Sequence, residues 1–185
     1  KLNNIVAEAI KKYDSKSVGV YIISFDEITP ILIQSPIFHS LGNVRWYGSD
    51  SIAQNHHITK NTDSALFAIK TNFSNPLFSI DIENPKIHAL IEELDNELHH
   101  TESITYPAIA YDCFWISSLS LDKNSTSSYV DMKNIRKTFK DIVIETAESF
   151  DGISGKIKLN EAGDRTGGNY DFWTVSKDEH NGHYI

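Results

Sequence analysis

The chain contains one cysteine and no long apolar run, and each shortage excludes a class of protein. Cys113 is the single cysteine, so no internal disulfide can form, and its apolar neighbours predict a small core residue rather than a nucleophile. No run of about 18 apolar residues occurs, so no transmembrane helix is predicted. The 17 basic residues are scattered against 25 acidic ones, giving a net charge of −8, which argues against a nucleic-acid partner.

Motifs for metal binding are also missing. The histidines fall mainly in two adjacent pairs and one spaced pair: His56–His57, His99–His100, and His180 with His183. Adjacent side chains on a helix or strand point in different directions, and the spaced pair lies in a glycine-containing tail. Neither a cysteine cluster nor a His-Glu-x-x-His pattern occurs. We therefore predict solvated surface histidines, with no metal and no cofactor.

What the chain does contain is enough apolar surface for a packed core. Hydrophobic residues make up 40% of the sequence, and a chain of this length buries roughly 70% of its unfolded surface. Helical spacing predicts a first helix over residues 2–13, and a continuous apolar run predicts a strand at 18–23 covered on both faces. Ser24 or Asp26 is expected to cap the next helix, which Pro36 ends. Further strands are predicted at 44–47 and 65–71.

The second half of the chain predicts three helices and a hairpin. The helices are expected from Pro85 to Leu98, over residues 106–121 and over 132–150, with a polar loop at 122–128. Two alternating runs around residues 157–159 and 170–175 predict paired strands joined by a glycine-bearing turn. This order of elements predicts an α/β fold, with a mainly parallel, Rossmann-like sheet flanked by helices and a C-terminal strand pair.

Five blocks of sequence, in this order and spacing, resemble a known family. They are residues 44–51, 106–115, 150–157, 163–165 and 170–173. Together they resemble the C-terminal part of a type 1 periplasmic binding protein of the leucine/isoleucine/valine-binding kind. Such proteins are the extracellular receptors of ABC importers. The resemblance implies an extracellular, periplasmic or surface-anchored protein. Its partners would be a small-molecule ligand, an amino acid of the branched-chain type or a related small amide, and a membrane permease.

The resemblance also implies a domain organisation. The family has two α/β lobes around a cleft, linked by three chain crossings, and residues 1–185 would form the C-terminal ligand-binding lobe. Within it, residues 84–150 would be a helical segment that returns to the other lobe in the intact family. The chain opens in a helical pattern without an initiator methionine, so we expect a fragment or a processed form. Exposed apolar surface on helices without their usual sheet would favour a homodimer.

Two loops follow the first two predicted strands, where open α/β sheets bind ligands. They carry Ser24 and Phe25 after the first strand, and Ser49, Asp50 and Ser51 after the second. Asp50 matches the family position whose acid meets the ligand ammonium, a charge that must be paired when it is desolvated. Some members have Glu there, so the ligand stays open. The alternative is that Asp50 only caps the turn after the strand.

Other residues that stand out in the sequence have alternative interpretations. Tyr111 matches a family tyrosine near the cleft, or it is an ordinary packing aromatic. Trp46 is expected in the core. Residues 163–165 read as a structural turn in which Asp164 bonds backbone amides and Arg165 pairs with a carboxylate. The triplets that begin at Asn72 and Asn124 fit the N-glycosylation pattern, in agreement with an extracellular location.

Three functions are weighed on these grounds. The first is a solute-binding receptor that closes around its ligand and performs no covalent chemistry. The second is the ligand-binding part of a signalling receptor or regulator. The third is an enzyme centred on Asp50 with Asp26 or His56. Since no nucleophile–base motif occurs, we predict that the chain is not an enzyme.

Overall fold

The computed structural model describes residues 1–98, 103–126 and 135–185, which form two compact units. The first unit comprises Lys1–Phe78 and Tyr170–Ile185, and the second comprises Ser79–Asn169. Among the described residues, no helix combines the length and apolarity needed to cross a bilayer.

The first unit is built on a four-stranded sheet with helices. Its elements are α1 (Leu2–Tyr13), β1 (Gly19–Ile22), α2 (Ile28–Gln34), β2 (Arg45–Gly48), α3 (His56–Lys60), α4 (Thr62–Lys70), β3 (Ser74–Phe78) and β4 (Tyr170–Thr174). Short 3-10 turns occupy Ser15–Ser17, Ser35–Ile37, Leu41–Asn43 and Asp50–Ile52. The strand order is β1-β2-β3-β4, in which only the β3–β4 pair is antiparallel. The predicted α/β class with a mainly parallel sheet is confirmed.

Trp46 anchors the core of this unit, as the sequence predicts. Its ring is fully buried and stands edge-on to Phe67, with ring centroids 5.3 Å apart. Its indole Nε1 donates a hydrogen bond to the Leu41 carbonyl at 2.9 Å. Val20 from β1 and Leu32 from α2 belong to the same buried cluster. The polar atom of the largest core side chain is therefore satisfied without water.

The prediction that residues 18–23 are covered on both faces is wrong. Val20 is buried, but Tyr21 is 64% exposed and Ile23 is 75% exposed. Tyr21 pairs in register with Tyr47, which is also exposed, so one face of the sheet packs on the core and the other faces solvent. An apolar run shows that a strand can be buried on both faces, but it does not show that both faces are covered.

Residues 65–70 lie in helix α4 and Thr71 follows its end, so the predicted third strand at 65–71 is wrong. Asn61 begins this helix, because its Oδ1 accepts hydrogen bonds from the amides of Asp63 at 3.0 Å and Ser64 at 3.1 Å. The third strand is β3. It contains a proline at position 76, which makes the segment difficult to recognise as a strand from the sequence. A short apolar run is compatible with either a helix or a strand, and here the cap at Asn61 favours the helix.

Helix α2 also starts differently from the prediction. Neither Ser24 nor Asp26 caps it; the helix follows Glu27 without a side-chain cap. Instead, the Ile28 and Thr29 amides bond the carbonyls of Phe25 and Asp26. The helix ends at Gln34, just before Pro36, as predicted.

In the part of the second unit that the structure describes there are three helices, α5 (Pro85–Leu98), α6 (Thr105–Thr126) and α7 (Ile135–Ser149). Pro85 occupies the first helical position, as predicted. Residues 122–126 continue α6, so the predicted loop at 122–128 is wrong for the part that the structure describes. Lys123 supports this extension, because its Nζ donates to the Thr146 hydroxyl on α7 at 3.1 Å. His99, His100 and residues 127–134 lie outside the described residues.

The predicted C-terminal hairpin is wrong in its pairing. Tyr170–Thr174 does form a strand, but its partner is β3, with Phe78 opposite Tyr170. Leu159 instead bridges Arg165 in a small loop of its own, which Gly163 turns with a φ of 92°. Alternation in sequence predicts that a strand forms, but not which strand it will pair with.

Candidate functional site

The loops that follow β1 and β2 are hydrogen-bonded to each other. Ser51 Oγ donates to the Ser24 carbonyl at 2.8 Å, and the hydroxyls of Ser49 and Ser51 lie 2.6 Å apart. The Ser49 amide donates to the Ile22 carbonyl at 3.1 Å, which holds the second loop against the end of β1. Ser24 and Ser49 are buried. The structure therefore brings together the predicted serines at the carboxyl edge of the parallel strands.

Asp50 opens the turn that follows β2. Its Oδ1 accepts a hydrogen bond from the Ser51 amide at 3.0 Å, and its carbonyl accepts from the Ala53 amide at 3.0 Å. The residue is exposed. Ser49 is the N-cap of this turn and makes no side-chain cap bond, so Asp50 does not cap the turn; it bonds the amide that follows it, and a ligand can reach its carboxylate from solvent.

Gly48 fixes the approach of β2 to this turn. A Cβ there would lie against Asn75 Oδ1 and 3.0 Å from Ile52 Cδ1, so only glycine fits without rearrangement. Asn75 is buried on β3, and no hydrogen-bond partner is found for its Oδ1 among the described residues. Sequence analysis missed this residue because it placed the third strand elsewhere.

Asn55 is a second residue that sequence analysis missed. Its Nδ2 donates to Asp26 Oδ1 at 3.2 Å, and its Oδ1 accepts from the His57 amide at 2.9 Å. It thereby caps α3 and fixes the Asp26 carboxylate at the same edge of the sheet. An asparagine directly before a helix is the sequence signal that could have found it.

The two predicted aromatic residues lie in different units. Phe25 follows β1 in the first unit and is 65% exposed. Tyr111 lies on α6 in the second unit, 41% exposed, with its ring centroid 6.2 Å from that of Trp115. Five of the six predicted site residues therefore share the first unit, and Tyr111 does not.

The second unit holds a buried carboxylate network. Asp112 on α6 is 1% exposed, and it accepts hydrogen bonds from the Ile153 amide at 2.8 Å and the Ser154 amide at 2.9 Å. The Ser154 hydroxyl also donates to it at 2.5 Å. Gly152 is needed beside it, because a Cβ there would lie 2.6 Å from Asp112 Oδ2. This network fixes the loop after α7 to α6.

Residues 163–165 belong to the same structural arrangement. Arg165 Nη1 donates to Ser154 Oγ at 2.9 Å, and its Nη2 donates to the Lys156 carbonyl at 2.9 Å. The amides in this turn are bound by Asn160 Oδ1, which accepts from Ala162 and Asp164 at 2.9 Å each, so the role predicted for Asp164 falls to Asn160. The motif is a structural turn, as the sequence predicts.

Among the described residues, no group of three or more His, Cys, Asp or Glu side chains could hold a metal ion. Cys113 is exposed on α6, so its predicted core position is wrong. The apolar residues of α6 are distributed around the whole circumference of the helix. The buried side is formed by Ala108, Asp112, Ile116 and Ser120.

Comparison with known proteins gives one family and two relatives. The family described as the receptor family ligand binding region matches residues 2–178. An uncharacterised protein of Methanocaldococcus jannaschii is 26% identical over 165 residues, which are 86% of this chain and 38% of that protein. An ABC transporter substrate-binding protein from Desulfitobacterium hafniense shares the fold, with a TM-score of 0.57 and 14% identity, over 100% of this chain and 47% of that one.

The chain therefore spans less than half the length of either relative. The family match covers nearly all of its 185 residues, and the fold agrees with it. The members of this family are binding proteins and not enzymes. The chain belongs to the family described as the receptor family ligand binding region.

Proposed function

We propose that this chain is part of the extracytoplasmic solute-binding component of an ABC-type importer, and that its ligand is an amino acid or a related small amide. The observation that carries the proposal is the position of Asp50 beside the bonded serines at the carboxyl edge of the sheet. Parallel α/β sheets bind ligands at that edge. The family match and the fold shared with a substrate-binding protein support it.

Asp50 would pair with the ligand ammonium. A charge enclosed in a closing cleft loses its water, and an unpaired one costs several kcal/mol, so a fixed carboxylate is needed. The Ser51 amide orients Asp50 through Oδ1, and the buried Ser49 holds Ser51 in place. This arrangement is preorganised, so little conformational entropy is lost when ligand binds.

The other predicted site residues would also contact the ligand. Phe25 would cover an apolar ligand side chain, as its ring is exposed in the loop after β1. Tyr111, on α6 of the second unit, stays a predicted ligand-binding residue on the sequence resemblance alone, within the segment 84–150 that in a longer protein would return to the other lobe. Closure of the lobes would bind the ligand more tightly than the open state does, which shifts the equilibrium toward the closed form.

The proposed setting follows from the same function. The protein would act outside the cytoplasm, periplasmic or surface-anchored, and deliver its ligand to a membrane permease. A branched-chain ligand is the specific prediction of the sequence resemblance. Self-association through the exposed side of α6, where Phe114 and Trp115 lie, stays a prediction that light scattering would test.

A receptor that signals instead of delivering cargo is the second candidate, and the family description favours it. The two differ in output and not in the site. Genes for a permease and an ATPase beside this gene would support import. A kinase or other output domain on the same polypeptide would support signalling.

The test is a thermal-shift screen against the amino acids and their small amides. It is run on the 185-residue chain and, in parallel, on the polypeptide that the complete gene encodes. A ligand of the native state raises the melting temperature with its concentration. We expect one or a few apolar amino acids to do so, and no shift across the panel for either polypeptide would contradict the proposal.

A further inference from the structure

The sheet of the first unit has a pocket at the edge opposite to the candidate ligand site. It encloses about 440 Å³ and is formed by three loops near the amino ends of the strands. Ser15 and Lys16 come from the segment before β1, residues 42–45 from the start of β2, and residues 70–72 from the connection between α4 and β3. The serine loops of the candidate ligand site follow the carboxyl ends of β1 and β2, so this pocket is a separate site.

Three cationic side chains line this pocket: Lys16, Arg45 and Lys70. All three are exposed, and no Asp or Glu is among the lining residues. Within the part of the chain that the structure describes, none of their side-chain nitrogens makes a hydrogen bond or an ion pair.

Nearby negative groups do not neutralise these cations. Helices α1 and α4 end close to the pocket, and each carbonyl end carries about half a negative charge. Asp14 is the nearest acid in sequence, but its Oδ1 faces the Ser15 hydroxyl and the Lys16 backbone amide, and it does not line the pocket. Three full positive charges against two half charges leave the pocket positive.

The donor set indicates which ligand would fit. The Arg45 guanidinium offers paired N–H groups that match a tetrahedral or planar oxyanion, and the two ammonium groups add charge without adding acceptors. We propose that this pocket binds a small phosphate compound carrying two or more negative charges. Tyr47 also lines the pocket, and its exposed ring offers an apolar surface to the organic part of such a compound.

The test uses pyrophosphate as the probe and calorimetry on the whole 185-residue chain at constant ionic strength. We expect saturable binding that is lost in the triple variant K16Q/R45Q/K70Q. The single variant Lys70→Gln is expected to weaken binding about tenfold, the value of one charge-assisted contact. Lys60→Gln, which changes an exposed lysine on α3 outside the pocket, serves as the matched control and should bind like the unmodified chain.

Three outcomes would overturn the proposal. The first is that pyrophosphate does not bind saturably to the unmodified chain. The second is that Lys60→Gln and Lys70→Gln weaken binding equally. The third is that succinate binds with the same affinity as pyrophosphate, which would show that the pocket has no preference for phosphate. Circular dichroism confirms that each variant is folded. Asp50→Asn should leave pyrophosphate binding unchanged, so this test and the test of the proposed amino acid site fail independently.

Discussion

Ser154 makes two hydrogen bonds to one oxygen of Asp112, through its amide at 2.9 Å and its hydroxyl at 2.5 Å. Asp112 is buried, so the carboxylate has exchanged its water for these donors and the Ile153 amide. Such an exchange is favourable only while every donor is present. The loop after α7 is therefore fixed by one side chain from α6.

Loss of the Asp112 carboxylate should destabilise the protein strongly. Asp112→Ala leaves three donors without an acceptor, and we expect a loss of about 3 kcal/mol in the free energy of unfolding. Asp112→Asn keeps one acceptor and should cost less. Urea denaturation measures both. The control is Asp95→Asn, an exposed acid on α5, and a similar cost for Asp95→Asn and Asp112→Ala would contradict the network.

Gly152 should be intolerant of alanine for reasons of space. A Cβ there would lie 2.6 Å from Asp112 Oδ2 and 2.9 Å from the Gly155 carbonyl oxygen. We expect Gly152→Ala to cost about 2 kcal/mol or more, in the range of overpacked sites. Gly167→Ala is the comparison, because no atom lies within 4 Å of a Cβ there although its φ of 83° is strained. Equal melting temperatures for the two variants would argue against the close contact.

Predictions from the sequence are confirmed mainly where the signal lies within a few neighbouring residues. Pro85 at a helix start and Trp46 in the core need only neighbouring residues to be recognised, and both predictions are confirmed. Asn61 before a helix is also a local signal, but the apolar run after it is equally compatible with a strand, and the strand predicted there is wrong. Pairing of β4 with β3 joins segments about 90 residues apart, which no local pattern contains.

For the candidate site, the sequence located the loops but not the contacts inside them. The bond from Ser51 to the Ser24 carbonyl and the support of Asp26 by Asn55 depend on how β1 and β2 align. That alignment is a property of the folded sheet. The exposure of Cys113 was missed for a related reason, since an apolar helix does not show which of its sides will be packed.

The exposed position of Cys113 can be tested by its reactivity. It is the single thiol of the chain, so a colorimetric disulfide reagent reports it alone. We expect complete reaction in the native state, at a rate within about tenfold of that in urea, because exposure governs access to the thiolate. Protection that is released only by urea would show that the thiol is buried in solution.

Lys86 lowers the pKa of Asp151 below its ordinary value, first through a hydrogen bond of 2.5 Å and then through charge attraction. A carboxyl whose folded pKa is depressed adds stability above its unfolded pKa, and that stability is lost as the pH falls through the folded value. We predict that Lys86→Gln raises the pKa of Asp151 in an NMR titration of its carboxyl carbon. Lys140→Gln should leave it unchanged, and an identical titration curve with Gln at position 86 would disprove the pairing.

The central claim is that Asp50 pairs with the ligand ammonium. Calorimetry on Asp50→Asn tests this claim most directly. The measurement uses the tightest amino acid from the thermal screen, with Glu8→Gln as a control that removes an exposed acid from α1. Truncating one partner of a buried charge pair costs about 2–5 kcal/mol, so Asp50→Asn should weaken binding at least about thirtyfold. Glu8→Gln should bind normally. An Asp50→Asn affinity within about threefold of the unmodified protein's would contradict the account.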